Sequence, residues 1–209
     1  MTRNIVVEEV VNANVKAYKT VDLDAQVSAT DIGVVPTAVS STVVATETGD
    51  QLWHKTVLTC TALPLSIADD AGVAQYGGVQ VYTFPKGLIA TMAAGVSGNL
   101  TLGTTGTIID AFTGVNALGS VVATTGATLV STEATWLQST ANATAAAKVA
   151  AISSVSVATD LTETGGRVYD GRTTAAPVFL NFAIADDASH TAGTGTFTGT
   201  ITFVWTKVV

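Results

Sequence analysis

Phe197-Thr198-Gly199-Thr200-Ile201-Thr202-Phe203-Val204-Trp205-Thr206 is the stretch that decides the fold. Phe197, Ile201, Phe203 and Trp205 share one face, and Thr198, Thr200, Thr202 and Thr206 share the other. A period of two is the mark of a strand with one face on a core and the other towards solvent or another subunit. Leu180, Phe182 and Ile184 repeat the pattern upstream, joined to the later run by Asp186-Asp187 and a Gly/Thr-rich connection. The pair predicts a half-buried antiparallel hairpin.

Lys55 to Ala62 alternates Leu58, Cys60 and Ala62 with Val57, Thr59 and Thr61. Beyond Ala62 the apolar phase moves to Leu63, Leu65 and Ile67, around Pro64. A shift of one residue beside a proline predicts a bulge or bend in an edge strand. Val79 to Phe84 is a further strand, ended by Pro85-Lys86-Gly87. Leu63 to Ala71 also matches Leu180 to Ala188 in spacing, with Ile67-Ala68-Asp69-Asp70-Ala71 repeated as Ile184-Ala185-Asp186-Asp187-Ala188. The repeat predicts two hairpins facing each other across a sandwich. In the middle, 101–109 and 119–130 are candidate strands. Ser131 to Gln138 is a candidate short helix, with Ser131 or Thr132 as cap and Glu133 in its first turn. Ala143 to Ile152 is an Ala-rich helix candidate.

The composition agrees. Of 209 residues, 12% are charged, against about a quarter in an average soluble domain, while hydrophobic residues stand at 47%. Thr, Ala and Val supply nearly half the chain. β-branched side chains suit a pleated sheet, and the 19 glycines suit its turns. The reading is an all-β chain, an antiparallel β-sandwich or jelly roll with at most one or two short helices. It is taken as one domain over 1–209, with 1–30 an extended N-terminal arm or edge strand and 31–209 the body.

Charge and motifs exclude several functions. A net charge of -7 with scattered Lys and Arg argues against nucleic acid and against an anionic membrane. Glu8 and Glu9 interrupt the apolar start, so no secretory signal is read there, and the Gly87 to Val96 run is too short for a spanning helix. Cys60 is alone and sits in a strand pattern, where a buried inert thiol is expected. The sequence has no nucleophile elbow, no zinc-protease motif and no phosphate-binding loop, and its histidines are His54 and His190. Packing is expected of His54 and a solvated turn of His190. No enzyme and no cofactor are read from this chain.

Asp69, Asp70, Asp186 and Asp187 are the acidic positions able to hold a hard cation, although strand-end Asx turns are the favoured explanation of them. Asn99-Leu100-Thr101 and Asn142-Ala143-Thr144 fit the glycosylation pattern by accident of composition. Trp53, Tyr82, Phe84, Phe179, Phe182, Phe203 and Trp205 would form a sugar-stacking platform only if exposed; their alternation places most of them in the core. The core candidates are Leu58, Leu65, Ile67, Val81, Phe182, Ile184, Phe203 and Trp205.

Lys55-Thr56-Val57-Leu58-Thr59, Ile67-Ala68-Asp69-Asp70-Ala71, Val81-Tyr82-Thr83-Phe84-Pro85-Lys86-Gly87 and Gly199-Thr200-Ile201-Thr202-Phe203-Val204-Trp205, in that order, resemble small structural proteins of tailed-bacteriophage virions. The resemblance covers 54–96 and 178–207 best. It implies a decoration (cement) protein, made in the bacterial host cytoplasm and bound to the outside of the capsid. The implied partners are the major capsid protein and further copies of the chain, as a trimer. A tail-tube subunit and an extracellular glycan-binding module are the alternatives. Ile5, Val6, Val7, Val10 and Val11, with Lys16, Tyr18 and Lys19, are the candidate contacts, an arm able to join a neighbour by strand addition or to remain a strand of its own sheet.

Overall fold

The structure is a computed structural model that describes residues 4–12, 15–22, 32–49, 53–69, 74–103, 114–124, 129, 131–141, 149–157, 168–174, 176–185 and 193–208. Its strands are β1 (Asn4–Asn12), β2 (Val15–Asp22), β3 (Val43–Gly49), β4 (His54–Asp69), β5 (Ala74–Phe84) and β6 (Leu88–Gly103). They continue as β7 (Gly114–Gly119), β8 (Leu137–Ala141), β9 (Val149–Val157), β10 (Val168–Asp170), β11 (Ala176–Ala185) and β12 (Gly193–Val208). All their pairings are antiparallel. Among the described residues the helical elements are two single 3-10 turns, Thr37–Val39 and Ser131–Ala134. The all-β, antiparallel reading is correct.

One ten-stranded sheet carries the body, in the order β10-β6-β12-β4-β5-β11-β7-β8, with β3 added to β4 and β9 to β6. The sheet curls so that its two halves share a core, in the manner of a sandwich. Phe84 of β5 meets Phe203 and Trp205 of β12 edge-on, with ring centroids 5.3 and 5.1 Å apart. The turn between the halves is the β4–β5 hairpin, paired from Ser66 opposite Gly78 to Asp69 opposite Gln75.

The expected hairpin of β11 with β12 does not form. β12 pairs with β4 and β6, whereas β11 pairs with β5 and β7. The related stretches therefore belong to two different strand pairs of one continuous curled sheet, with β5 between them, and not to two separate hairpins. Ile67 and Phe182 stand opposite Gly77 from its two sides. A side chain at Gly77 would collide with the Ser66 carbonyl, and this close approach explains a glycine there.

The phase shift at Ala62 is a bulge, as the sequence predicts. The β4–β12 register slips between Phe197 and Gly199, and Ala62 takes φ 47°. Thr198 Oγ1 accepts the Ala62 N–H at 3.0 Å. Pro64 does not mark an edge strand in the simple sense, because β4 is flanked along most of its length. β3 covers its His54–Cys60 portion and β5 its Ser66–Asp69 portion. Pro64 falls in the gap between them, paired only with Thr196 of β12, where a missing N–H breaks no ladder.

Two helix expectations give way to pairing. Ser131 to Gln138 stops after one 3-10 turn, because Trp136 and Leu137 turn into the core and the Trp136 N–H bonds the Leu118 carbonyl at 2.7 Å. The described part of the Ala-rich run, from Val149, is β9, paired with β6 from Thr101 to Ala93. A free β6 edge outweighs the weak helical preference of alanine. The strand expected over 101–109 is described to Gly103, where β6 ends. The strand expected over 119–130 is instead the last residue of β7 followed by a loop over 120–124.

All eight expected core residues are buried. They join Leu63, Tyr82, Phe84, Ile89, Leu100, Leu118, Leu180 and Phe197 in the principal cluster. A smaller cluster of Ala117, Ala123, Leu129 and Ala183 lies on the opposite face of β7 and β11. β11 is thus covered on both faces.

Candidate functional site

β1 and β2 bring the candidate contact residues into one hairpin. Ile5 stands opposite Val21, Val6 opposite Thr20, Val7 opposite Lys19 and Val10 opposite Lys16; Tyr18 is opposite Glu8, and the register shifts at Val11. Among the described residues these strands pair with each other and with no strand of the large sheet. Among the described residues the segment is therefore a two-strand ribbon.

Asp69 ends β4, and Asp70, Asp186 and Asp187 lie outside the described residues. Among the described residues, no group of three or more His, Cys, Asp or Glu is placed to hold a metal ion. His190 and Asn142 also lie outside. Asn99 is exposed on β6, opposite Thr198. No helix is long and apolar enough to cross a membrane among the described residues.

The remaining expected side chains are structural. Five of the seven aromatic candidates are buried: Tyr82, Phe84, Phe182, Phe203 and Trp205. Phe179 is half-buried and Trp53 remains 49% exposed, so no stacking platform assembles from the set. His54 is buried and stacks on Trp205, with centroids 4.0 Å apart and planes 12° from parallel. Burial raises the Cys60 thiol to about 12, far from a reactive thiolate.

Among the described residues, the outward side of the long strands forms a continuous surface. Rows run across it in register: Val44, Thr59, Thr200 and Ser97; then Thr46, Val57, Thr202 and Gly95; then Thr48, Lys55, Val204 and Ala93. Lys55 is the charged exception in these rows. The alternation that buries Ile201, Phe203 and Trp205 leaves their threonine and valine neighbours outside. Small residues on β6 leave a shallow cleft of about 240 Å³, lined by Ala93, Gly95, Ser97, Thr200, Thr202 and Val204 among others.

Two buried polar arrangements have no counterpart in the sequence reading. In the first, Trp205 Nε1 donates to Thr56 Oγ1 at 2.8 Å, and Thr56 Oγ1 donates to Glu47 Oε1 at 3.0 Å. Burial raises Glu47 to about 7, against hydrogen bonds from Thr56 and the Gly33 backbone that pull it down. In the second, Asn181 is fully buried on β11. Its Oδ1 accepts the Ala123 N–H at 3.0 Å, and its Nδ2 donates to the carbonyls of Val121 and Glu133 at 2.9 and 2.8 Å. Glu133 Oε1 accepts from the Thr124 N–H at 2.8 Å and lies 3.2 Å from its hydroxyl. Asn181 is a polar residue inside the apolar Leu180–Ile184 run, but nothing in the sequence shows what it bonds. On the surface, Arg172 forms a two-pronged pair with Asp170 and holds that carboxyl down at about 2.

Comparison with protein-family models, curated proteins and solved structures finds no match to the chain.

Proposed function

We propose that the chain is a structural subunit of a tailed-bacteriophage virion, working by contact and not by chemistry. Within that class, the reading is a decoration protein, bound to the outer surface of the capsid and reinforcing the shell. Its partners are the major capsid protein and other copies of itself, as a trimer.

The observation that carries the reading is the nearly uncharged outer face of β3, β4, β12 and β6. A surface of threonine, valine, serine and small residues can be covered with little loss of ion hydration, as a large subunit contact requires. The β1–β2 ribbon adds a second contact, since a lone two-stranded ribbon is marginal in water and gains from a covering partner. Several modest contacts made at once by a trimer would raise the effective concentration of each. The buried fate of most aromatic candidates weakens the glycan alternative.

Quantitative mass spectrometry of purified particles tests the class. The expected result is a copy number comparable with that of the major capsid protein. A few copies per particle would favour the tail or a vertex, and absence from particles would end the virion reading.

A further inference from the structure

β3 is an edge strand that carries none of the usual guards. Among the described strands it pairs with β4 alone, Val43 opposite Cys60 through to Gly49 opposite His54. The register is unbroken over all seven residues, so no bulge twists the edge away. Its sequence, Val-Val-Ala-Thr-Glu-Thr-Gly, has no proline and no lysine. The one charged residue, Glu47, is turned inward, where Thr56 and the Gly33 N–H donate to its carboxyl. A regular edge without such guards is a template for another strand.

The hydrogen-bond phase fixes which groups the edge presents. The Thr61 N–H bonds the Thr42 carbonyl at 2.8 Å, one step before Val43 stands opposite Cys60. Antiparallel ladders alternate, so Val44, Thr46 and Thr48 spend their backbone bonds on β4. Val43, Ala45, Glu47 and Gly49 aim N–H and C=O the other way, and among the described residues no backbone group meets them there. Val44, Ala45 and Thr46 are exposed, Val44 to 64%. Ile32 and Val34 flank the Gly33 that bonds Glu47, and Val34 is 62% exposed. Exposed apolar side chains therefore gather beside an unpaired backbone, which is what a strand-to-strand contact needs.

We propose that β3 is a self-association edge: two copies of the chain join β3 to β3, antiparallel about a twofold axis at Thr46, and merge their sheets. The strand is complementary to itself in that register. Thr46 meets Thr46 of the second copy and Val44 meets Thr48, while the outward-bonding residues pair Ala45 with Glu47 and Val43 with Gly49. All seven residues are used and neither acid faces its twin. A slide that sets Glu47 against Glu47 opposes like charges and pairs fewer residues. Each copy carries a net charge of -7, so self-contact favours a place this poor in charge. The contact does not depend on the virion role; between trimers it would link one trimer to the next.

Cysteine cross-linking of the full chain under mild oxidation reads the register. Opposed residues of a non-hydrogen-bonded pair lie about 4.5 Å apart at Cα, within disulfide reach. Thr46→Cys should give a reducible dimer with itself, whereas Val44→Cys and Thr48→Cys should link well only when mixed. The wild type, whose Cys60 is buried, is the control. Sedimentation over a range of concentrations reads the association itself. Ala45→Pro removes an N–H that points away from β4, so it should leave the β4 ladder intact and weaken association at least about tenfold. A wild type that stays monomeric overturns the proposal, as does association that Ala45→Pro leaves unchanged, which would assign it to the outer face or the ribbon. Should Ala45→Pro not fold, the cross-links decide: equal yields from all three single variants mean chance collision and overturn the register. Copy number in particles, the test of the virion role, is independent of either result.

Discussion

The β4–β12 ladder and the corner where β7 meets β11 are held by opposite means. The ladder runs from Gly193 opposite Ile67 to Trp205 opposite His54. It rests on apolar side chains at alternate positions, with Leu58, Leu63, Phe197, Ile201, Phe203 and Trp205 fully shielded. Its only interruption, at Ala62, is covered by Thr198 on the outside and by the Phe197 ring, which lies over Gly98 and Gly199 on the inside. The corner has alanines and a glycine where the ladder has aromatic rings. Asn181 and Glu133 bind the 120–124 loop there by hydrogen bonds to its backbone. Burial of apolar area tolerates small displacements, whereas a buried amide is useful only while its partners stay in place. The ladder should therefore resist gradual insults, and the corner should fail when one polar atom is removed.

Phe203→Ala gives the largest expected effect. The ring is fully buried against Phe84, and its loss should lower the unfolding free energy by about 3–5 kcal/mol in a denaturant titration. A loss under about 1 kcal/mol would remove the ladder's apolar side from the account. Asn181→Ala comes next, at about 2–3 kcal/mol, since the buried backbone groups of Ala123 and Glu133, and the partly buried carbonyl of Val121, lose their partner together. Exchange of the 120–124 amides should rise with it. If those amides stay protected, the corner does not depend on its amide.

Gly98→Ala sharpens the other side of the comparison. A Cβ there would meet the Thr198 carbonyl, the Gly199 Cα and the Phe197 ring, so the ladder must shift, at a cost of about 1–3 kcal/mol. A neutral result would mean that the Phe197 ring is not fixed over the glycines. Arg172→Ala should change stability by less than about 0.5 kcal/mol, because the Asp170–Arg172 pair is exposed and belongs to neither region. A larger loss would mean that the β10 end takes part in the fold more than its surface position suggests.

The same contrast explains what could be read from residues alone. The ladder announces itself in a period of two, so Phe203, Trp205, Leu58 and Ile67 were placed on the correct side, and the one-residue slip at Ala62 appeared as a bulge. Strand order was not legible. Leu180–Ile184 and Phe197–Trp205 look like a hairpin because they are near in sequence, yet the β4–β5 hairpin occupies the space between them. The corner was not legible either. Asn181 acts on carbonyls 48 and 60 positions away, a distance at which composition and periodicity carry no signal. Glu47 was missed for the same reason, because its partners Thr56 and Trp205 are defined only once β3, β4 and β12 are aligned.

The proposed role rests on the outer face of the ladder, and reconstitution tests it most directly. Purified protein is added to capsid shells that lack it, and bound copies and the temperature of shell rupture are measured together. The account predicts saturable binding to the outer surface and a higher rupture temperature, with a charged Thr202→Lys variant weakened in both. Shells that take up no protein, or rupture at an unchanged temperature when saturated, would contradict it.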